Sequence, residues 1–168
     1  MRPIVTTLVG LALATTSVAC READDQPLTA AEALDALEQA SVASQASNLV
    51  SGSIEVTTDF TIGGAVEAAA DEIRSFVTSQ LPCADIQLQG ARLEVVYGAN
   101  PGPCTYNGHA FSGSHTIEVE ANDEGNVVVS HVWDELSNGL VSVTGSATVT
   151  WSQQDRSRRV EHELTWSS

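Results

Sequence analysis

The chain contains no lysine: all seven of its basic residues are arginines, set against 22 acidic ones for a net charge of −15. The missing lysine reflects base composition rather than mechanism. The charge matters more, because a surface this acidic repels nucleic acid phosphates and anionic headgroups at large. No nucleic acid partner is expected. Aromatic residues are scarce, at 5% of the chain. There is no Gly-x-Ser-x-Gly elbow, the sharp turn that presents a hydrolase serine. His162-Glu163 lacks the second histidine of a zincin helix. The four histidines never cluster, and no Cys-x-x-Cys spacing suggests redox work. No cofactor and no metal are expected. No internal repeat is visible, and 168 residues support a single domain.

What is present is alternation. From Val127 to Trp166 the chain reads as three long strands. Val128, Ser130, Val132, Asp134 and Leu136 share one face. Val141, Val143, Gly145, Ala147, Val149 and Trp151 continue the period, followed by Val160, His162, Leu164 and Trp166. A period of two with one apolar face marks a half-buried antiparallel sheet. Asn138-Gly139 supplies the hairpin turn and sets Leu136 opposite Val141.

Met1 to Ala19 has the layout of a secretory signal: Arg2, an apolar stretch Ile4 to Ala14, then Ser17-Val18-Ala19. The apolar stretch is too short to stay in a bilayer as a spanning helix. Ser17-Val18-Ala19-Cys20 resembles the lipobox of bacterial lipoproteins, with Ser17 where that family usually carries Leu. The resemblance implies lipid attachment at Cys20. Cysteine number agrees, since lipidation of Cys20 removes the odd thiol and leaves Cys83 and Cys104 to pair. The alternative is a plainly secreted protein with a free Cys20. The C-terminal third, with Asp134 to Gly139, Val149-Thr-Trp151 and Arg158 to Trp166, also looks like uncharacterised bacterial cell-envelope lipoproteins carrying a small sheet domain. That likeness brings no activity and no catalytic residue with it.

The expected organisation is a signal peptide over 1–19, a lipidated cysteine and flexible tether over 20–28, and one domain over 29–168. Thr29-Ala-Ala-Glu32 forms a capping box that opens a helix from Ala30 to Ala43, with Leu34 and Leu37 on one stripe. A disordered Ala/Ser linker reaching Asn48 is the alternative. Ile54, Val56, Thr58, Phe60 and Ile62 alternate as a first strand, and Gly63-Gly64 breaks it. Ala65 to Gln80 reads as a second helix, with Ile62, Val66, Ala69, Ile73, Phe76 and Val77 at helical spacing. Leu88 to Tyr97 is the next strand, Tyr106 to Gly113 a small edge strand, and His115 to Ala121 another. The fold class is therefore α+β: an antiparallel β-meander of about six strands with two N-terminal helices packed on one face.

Carrying the pairing through the Asn122–Asn126 turn sets Ala121 opposite Val128 and brings His115 to Asp134, with Ser130 nearby. That could be a polar pair at the sheet end, or the kernel of a hydrolase. His131 would face Glu118 on the polar side, as half of a metal site or as a solvated cross-strand pair. Trp133 would lie on the same polar face beside Thr144, either as a contact for a partner or sugar or covered by a loop or the Ala-rich first helix. His162 would be a core histidine. Asn122 to Asn126 places oxygen ligands at alternate positions, as calcium loops do, but a β-turn explains the same residues and the distal glutamate is missing.

The leading expectation is a non-catalytic cell-envelope lipoprotein, held to the membrane by lipid on Cys20 and acting as a structural or interaction module toward an envelope protein or glycan. A small-ligand binder holding its ligand between helices and sheet is the second reading. A hydrolase using His115 and Asp134 is the third.

Overall fold

A computed structural model describes residues 28–61 and 64–168 of the chain. The signal, Cys20 and most of the tether lie outside the described residues. Two helices, α1 (Ala30–Val56) and α2 (Val66–Gln80), precede eight strands. These are β1 (Asp85–Gln89), β2 (Arg92–Tyr97), β3 (Thr105–Tyr106), β4 (His109–Ala110), β5 (Ser112–Ala121), β6 (Val127–Ser137), β7 (Ser142–Ser152) and β8 (Ser157–Ser167). Six of them form one antiparallel sheet in the order β1-β2-β5-β6-β7-β8, and β3 and β4 form a separate hairpin. Both helices pack on the same face, so the α+β meander expected from the pattern is the fold.

The capping box at Thr29 is present, with the Glu32 carboxylate accepting from the Thr29 amide at 2.8 Å. The helix it opens does not stop near Ala43. It runs 27 residues to Val56, which overturns the expected strand from Ile54. Ala46, Leu49, Val50, Ser53, Ile54 and Val56 are buried at helical spacing against the sheet. The β-branched Ile54, Val56, Thr57 and Thr58 look extended by propensity, but burial along one helix face outweighs a preference of this size. Thr57 ends the helix by donating its hydroxyl to the Ser53 and Ile54 carbonyls at 3.0 Å. Leu34 and Leu37 are 68% and 67% exposed, so the first half of α1 projects past the core.

The expected strand Leu88 to Tyr97 is instead a hairpin, β1 and β2, turned at Gly90 with φ of 61°. The segment Tyr106 to Gly113 likewise divides, because Asn107 and Gly108 both adopt positive φ and close the β3–β4 turn. Cys83 and Cys104 form a disulfide with a Cα–Cα distance of 5.3 Å, tying the end of α2 to the loop before β3. Asn100 reinforces that tie by donating from its backbone to Cys83 and from its side chain to Ala84, both at 2.9 Å. Reducing this bridge is expected to cost about 3 kcal/mol of stability by the loop-entropy relation. Urea midpoints with and without reductant check it, and an unchanged midpoint would show that the bridge constrains nothing.

The decisive irregularity is a β-bulge in β6. Pairing with β7 jumps from Trp133↔Gly145 to Leu136↔Val143, and Glu135 takes φ of 51°. The extra residue reverses the alternation. Upstream of it Val127, Val129, His131 and Trp133 point to the core, and downstream Leu136 does. Anchoring the whole strand on Leu136 therefore assigns the wrong face: Val132 is 51% exposed, while Trp133 is completely buried. The β6–β7 connection also holds four residues rather than two, with Asn138 accepting from the amides of Leu140 and Val141. Leu136 consequently faces Val143, not Val141. At the other end Ala121 pairs with Val127, not Val128.

Candidate functional site

Two features of the helix-covered face hold chemistry: a buried line of rings, and an open groove under α1.

The rings lie across β2, β5 and β6. The Tyr97 hydroxyl meets His115 Nδ1 at 3.0 Å, and His115 Nε2 meets His131 Nδ1 at 3.0 Å. Trp133 stacks on His131 with centroids 5.7 Å apart and packs at a tilt of 31° against His115 at 5.4 Å. If Tyr97 donates to His115 Nδ1, then His115 Nε2–H donates to His131 Nδ1, and His131 carries its own proton on Nε2. The reverse direction would leave both a buried phenol hydrogen and a buried imidazole lone pair unpaired, which costs more. His131 Nε2 and Trp133 Nε1 have no hydrogen-bond partner among the described residues. Burial pushes the Tyr97 phenol well above its ordinary value. Burial, and then the neighbouring His131, holds His115 well below the usual imidazole range. Burial, and then the Arg158 charge, lowers His131 to about 3. At neutral pH the line is an uncharged polar network inside the core.

This geometry relocates His115, His131, His162, Asp134 and Trp133 from where the sequence placed them. His115 faces Trp133 in register, and Asp134 faces Ser114 on the outer side of the sheet. His115 and Asp134 therefore project from opposite faces, and the expected pair does not form. The register slips by one at the Asn122–Asn126 turn, where Ala121 meets Val127, and the bulge separately puts Asp134 on the face opposite Leu136. Ser130 is paired with Glu118, also on the outer face. His131 is opposite Ile117 and 1% exposed, so it is neither across from Glu118 nor a surface contact. Glu118 instead lies 3.8 Å from Arg92. Trp133 is a core residue rather than a contact residue. Asn122 uses its side chain to accept from the amides of Glu124 and Asn126, as a turn requires. His162, expected in the core, is exposed and lines the groove. The cysteine pair is where it was expected; Cys20 lies outside the described residues.

The groove lies between α1 and the edge strand β8. The helix-facing side of β8 carries Arg158, Val160, His162, Leu164 and Trp166, in register with Trp151, Val149, Ala147, Gly145 and Val143. On a closed sheet these positions would be core, yet Val160 is 39% and Trp166 48% exposed. α1 crosses above without filling the space. A cavity of about 530 Å³ results, walled by Ser47, Val50, Ser51, Ile54 and Glu55 of α1 and by Arg158, Val160, His162 and Leu164 of β8. Further along the same seam a second space of about 780 Å³ lies between Val42 and Ala43 of α1 and Trp166 to Ser168. Gly145 brings β8 this close to β7, because a Cβ there would collide with the Glu163 carbonyl oxygen. Sequence reasoning offered a pocket between helices and sheet as a second reading without placing it at β8, and it missed Tyr97. An alternating strand looks the same whether or not a helix closes over it. Tyr97 gave no signal, because its partners are fixed by strand pairing.

Comparison of the chain with protein-family models, curated proteins and solved structures returned no match.

Proposed function

We propose that this chain is an exported, lipid-anchored binding module of the bacterial cell envelope that works by holding an apolar ligand in the α1–β8 groove, without catalysis. The observation that carries the reading is the open groove itself: a sheet face patterned as core, with Val160 and Trp166 left accessible and Leu164 half-buried beside α1. Its volume lies in the range of small-molecule sites. The anchoring half rests on the lipobox-like Ser17-Val18-Ala19-Cys20 and on cysteine pairing, since the Cys83–Cys104 bridge leaves Cys20 as the odd thiol. A short tether after Cys20 would keep the groove near the bilayer; seven extended residues reach about 23 Å. The groove favours ligand binding over a purely structural envelope role. The catalytic reading loses its residues, because His115 and Asp134 stand on opposite faces.

An uncharged, environment-sensitive dye such as Nile red tests the binding half. Saturable one-to-one binding with a blue shift is expected, together with its loss in Val160→Glu, which puts a carboxylate into the apolar wall. Non-saturating partition, or binding indifferent to Val160→Glu, would end the proposal. Intact mass after bacterial expression tests the anchor: a diacylglyceryl adduct on Cys20 supports it, and an unmodified product cut after Ala19 contradicts it.

A further inference from the structure

We infer that the groove is a site for a single-chain anionic amphiphile of the long-chain fatty acid class, with its headgroup on Arg158 and its hydrocarbon running along β8 toward Trp166. The inference rests on the binding reading above and adds the charge and shape of the ligand.

The charge comes from an unusual concentration of cations. Three of the seven arginines, Arg156, Arg158 and Arg159, fall within four residues at the start of β8. Arg159 is spoken for on the outer face, 2.8 Å from Glu161. Arg158 points to the groove and lies over the Trp151 ring, 5.1 Å from its centroid. None of the four ion pairs among the described residues includes it. In a chain with three times as many acids as bases, a guanidinium in no ion pair, beside a trough that mixes Val50, Ile54, Val160 and Leu164 with Ser47, Ser51 and His162, suits an anionic amphiphile from outside. Glu55 lines the same cavity and opposes this, yet it forms no ion pair with Arg158.

The shape comes from the strand. Arg158 to Trp166 spans eight residues, about 26 Å at the rise of a β-strand. That exceeds the roughly 15 Å hydrocarbon depth of one bilayer leaflet, so a membrane-derived acyl chain fits lengthwise. Val160 and Leu164 face Val50 and Ile54 across the trough, and Trp166 continues the line toward Val42 and Ala43, where Asp35 and Glu38 stand at the far end from Arg158. The overall acidity of the chain does not forbid such a ligand. Carboxylates more than about 8 Å away are largely screened at physiological ionic strength, whereas Arg158 would be in contact.

The test uses the mature chain without its lipid, with Nile red displacement and Trp fluorescence as readouts and oleate, oleyl alcohol and oleylamine as ligands. Oleate should displace the dye best, and oleylamine worst. Arg158→Gln should weaken oleate about tenfold or more, the size of a lost charged hydrogen bond, while changing oleyl alcohol binding far less. Glu55→Gln should tighten oleate. If the three ligands bind alike, or Arg158→Gln leaves oleate unaffected, the anionic assignment is wrong while saturable dye binding still supports an apolar site. If the dye itself fails to saturate, both fall. Sedimentation of the unliganded chain completes the test: a monomer is expected, and a dimer that buries β8 would mean that a second copy, not an amphiphile, covers the groove.

Discussion

Lowering the pH from 7 to 5 is expected to cost the domain roughly 4 kcal/mol of stability, about 2 for each of two buried histidines. His115 and His131 both have folded-state pKa values depressed by burial, His131 to about 3. The unfolded chain titrates both near the ordinary 6.5, so below that pH it binds protons that the native state refuses. Stability is therefore fully present above about 6.5 and declines as the pH falls from there toward the folded values. The groups that bear on the pair are Tyr97 on one side, Trp133 packed against both rings, and the Arg158 charge beside His131. None of these offers a carboxylate to compensate an imidazolium. The window between pH 7 and 5 stays above the ordinary carboxylate range, so it isolates the histidines from the acidic surface. Urea midpoints at pH 7, 6 and 5 measure the loss. A double variant, His115→Phe with His131→Leu, should show a nearly flat profile over the same range. A wild-type profile that is flat, or a double-variant profile that stays steep, would mean that these two rings are not buried neutral.

Replacing Trp133 by alanine should destabilise the domain by about 3–5 kcal/mol, the range for deleting a large aromatic side chain from a packed core. The side chain is fully buried, stacked 5.7 Å from His131, and lies opposite Gly145, where no side chain competes for space. The measurement also decides the bulge at Glu135. If β6 alternated without interruption from Leu136, Trp133 would stand in solvent, and its removal would change stability by less than about 0.5 kcal/mol. Trp133→Phe, which keeps most of the volume, should lose far less than Trp133→Ala. Equal losses would point to disruption of the polar line rather than to a cavity.

His115, His131 and Trp133 also show what the sequence could and could not disclose. The three long strands, the second helix, the capping box at Thr29 and the cysteine pair were all legible, because each rests on local periodicity, local hydrogen bonding or simple counting. The faces of β7 and β8 were legible too, but that of β6 was not. One residue inserted at Glu135 inverts every assignment in β6 upstream of it, and nothing about Glu in that position announces a left-handed backbone. The extension of α1 through Ile54 and Val56 was hidden for a different reason: residues two apart lie roughly 200° around a helix, so their alternation looks like a strand, and only packing that buries both Ile54 and Val56, at the two edges of a wide face, makes the segment helical. The candidate site suffered both effects. His115, His131 and Trp133 were singled out as residues of interest, but their partners come from strand register. The groove depends on where α1 stops covering β8, which is a property of two elements a hundred residues apart.

The central claim is that the working surface is the α1–β8 groove and not the buried ring line. A two-dimensional amide spectrum of the labelled domain, titrated with the neutral dye, tests it most directly. The expected result is saturating shifts at Val50, Ile54, Val160, Leu164 and the Trp166 indole, with His115 and His131 unmoved. Shifts centred on the outer face near Asp134, or no saturable shift along β8, would contradict it.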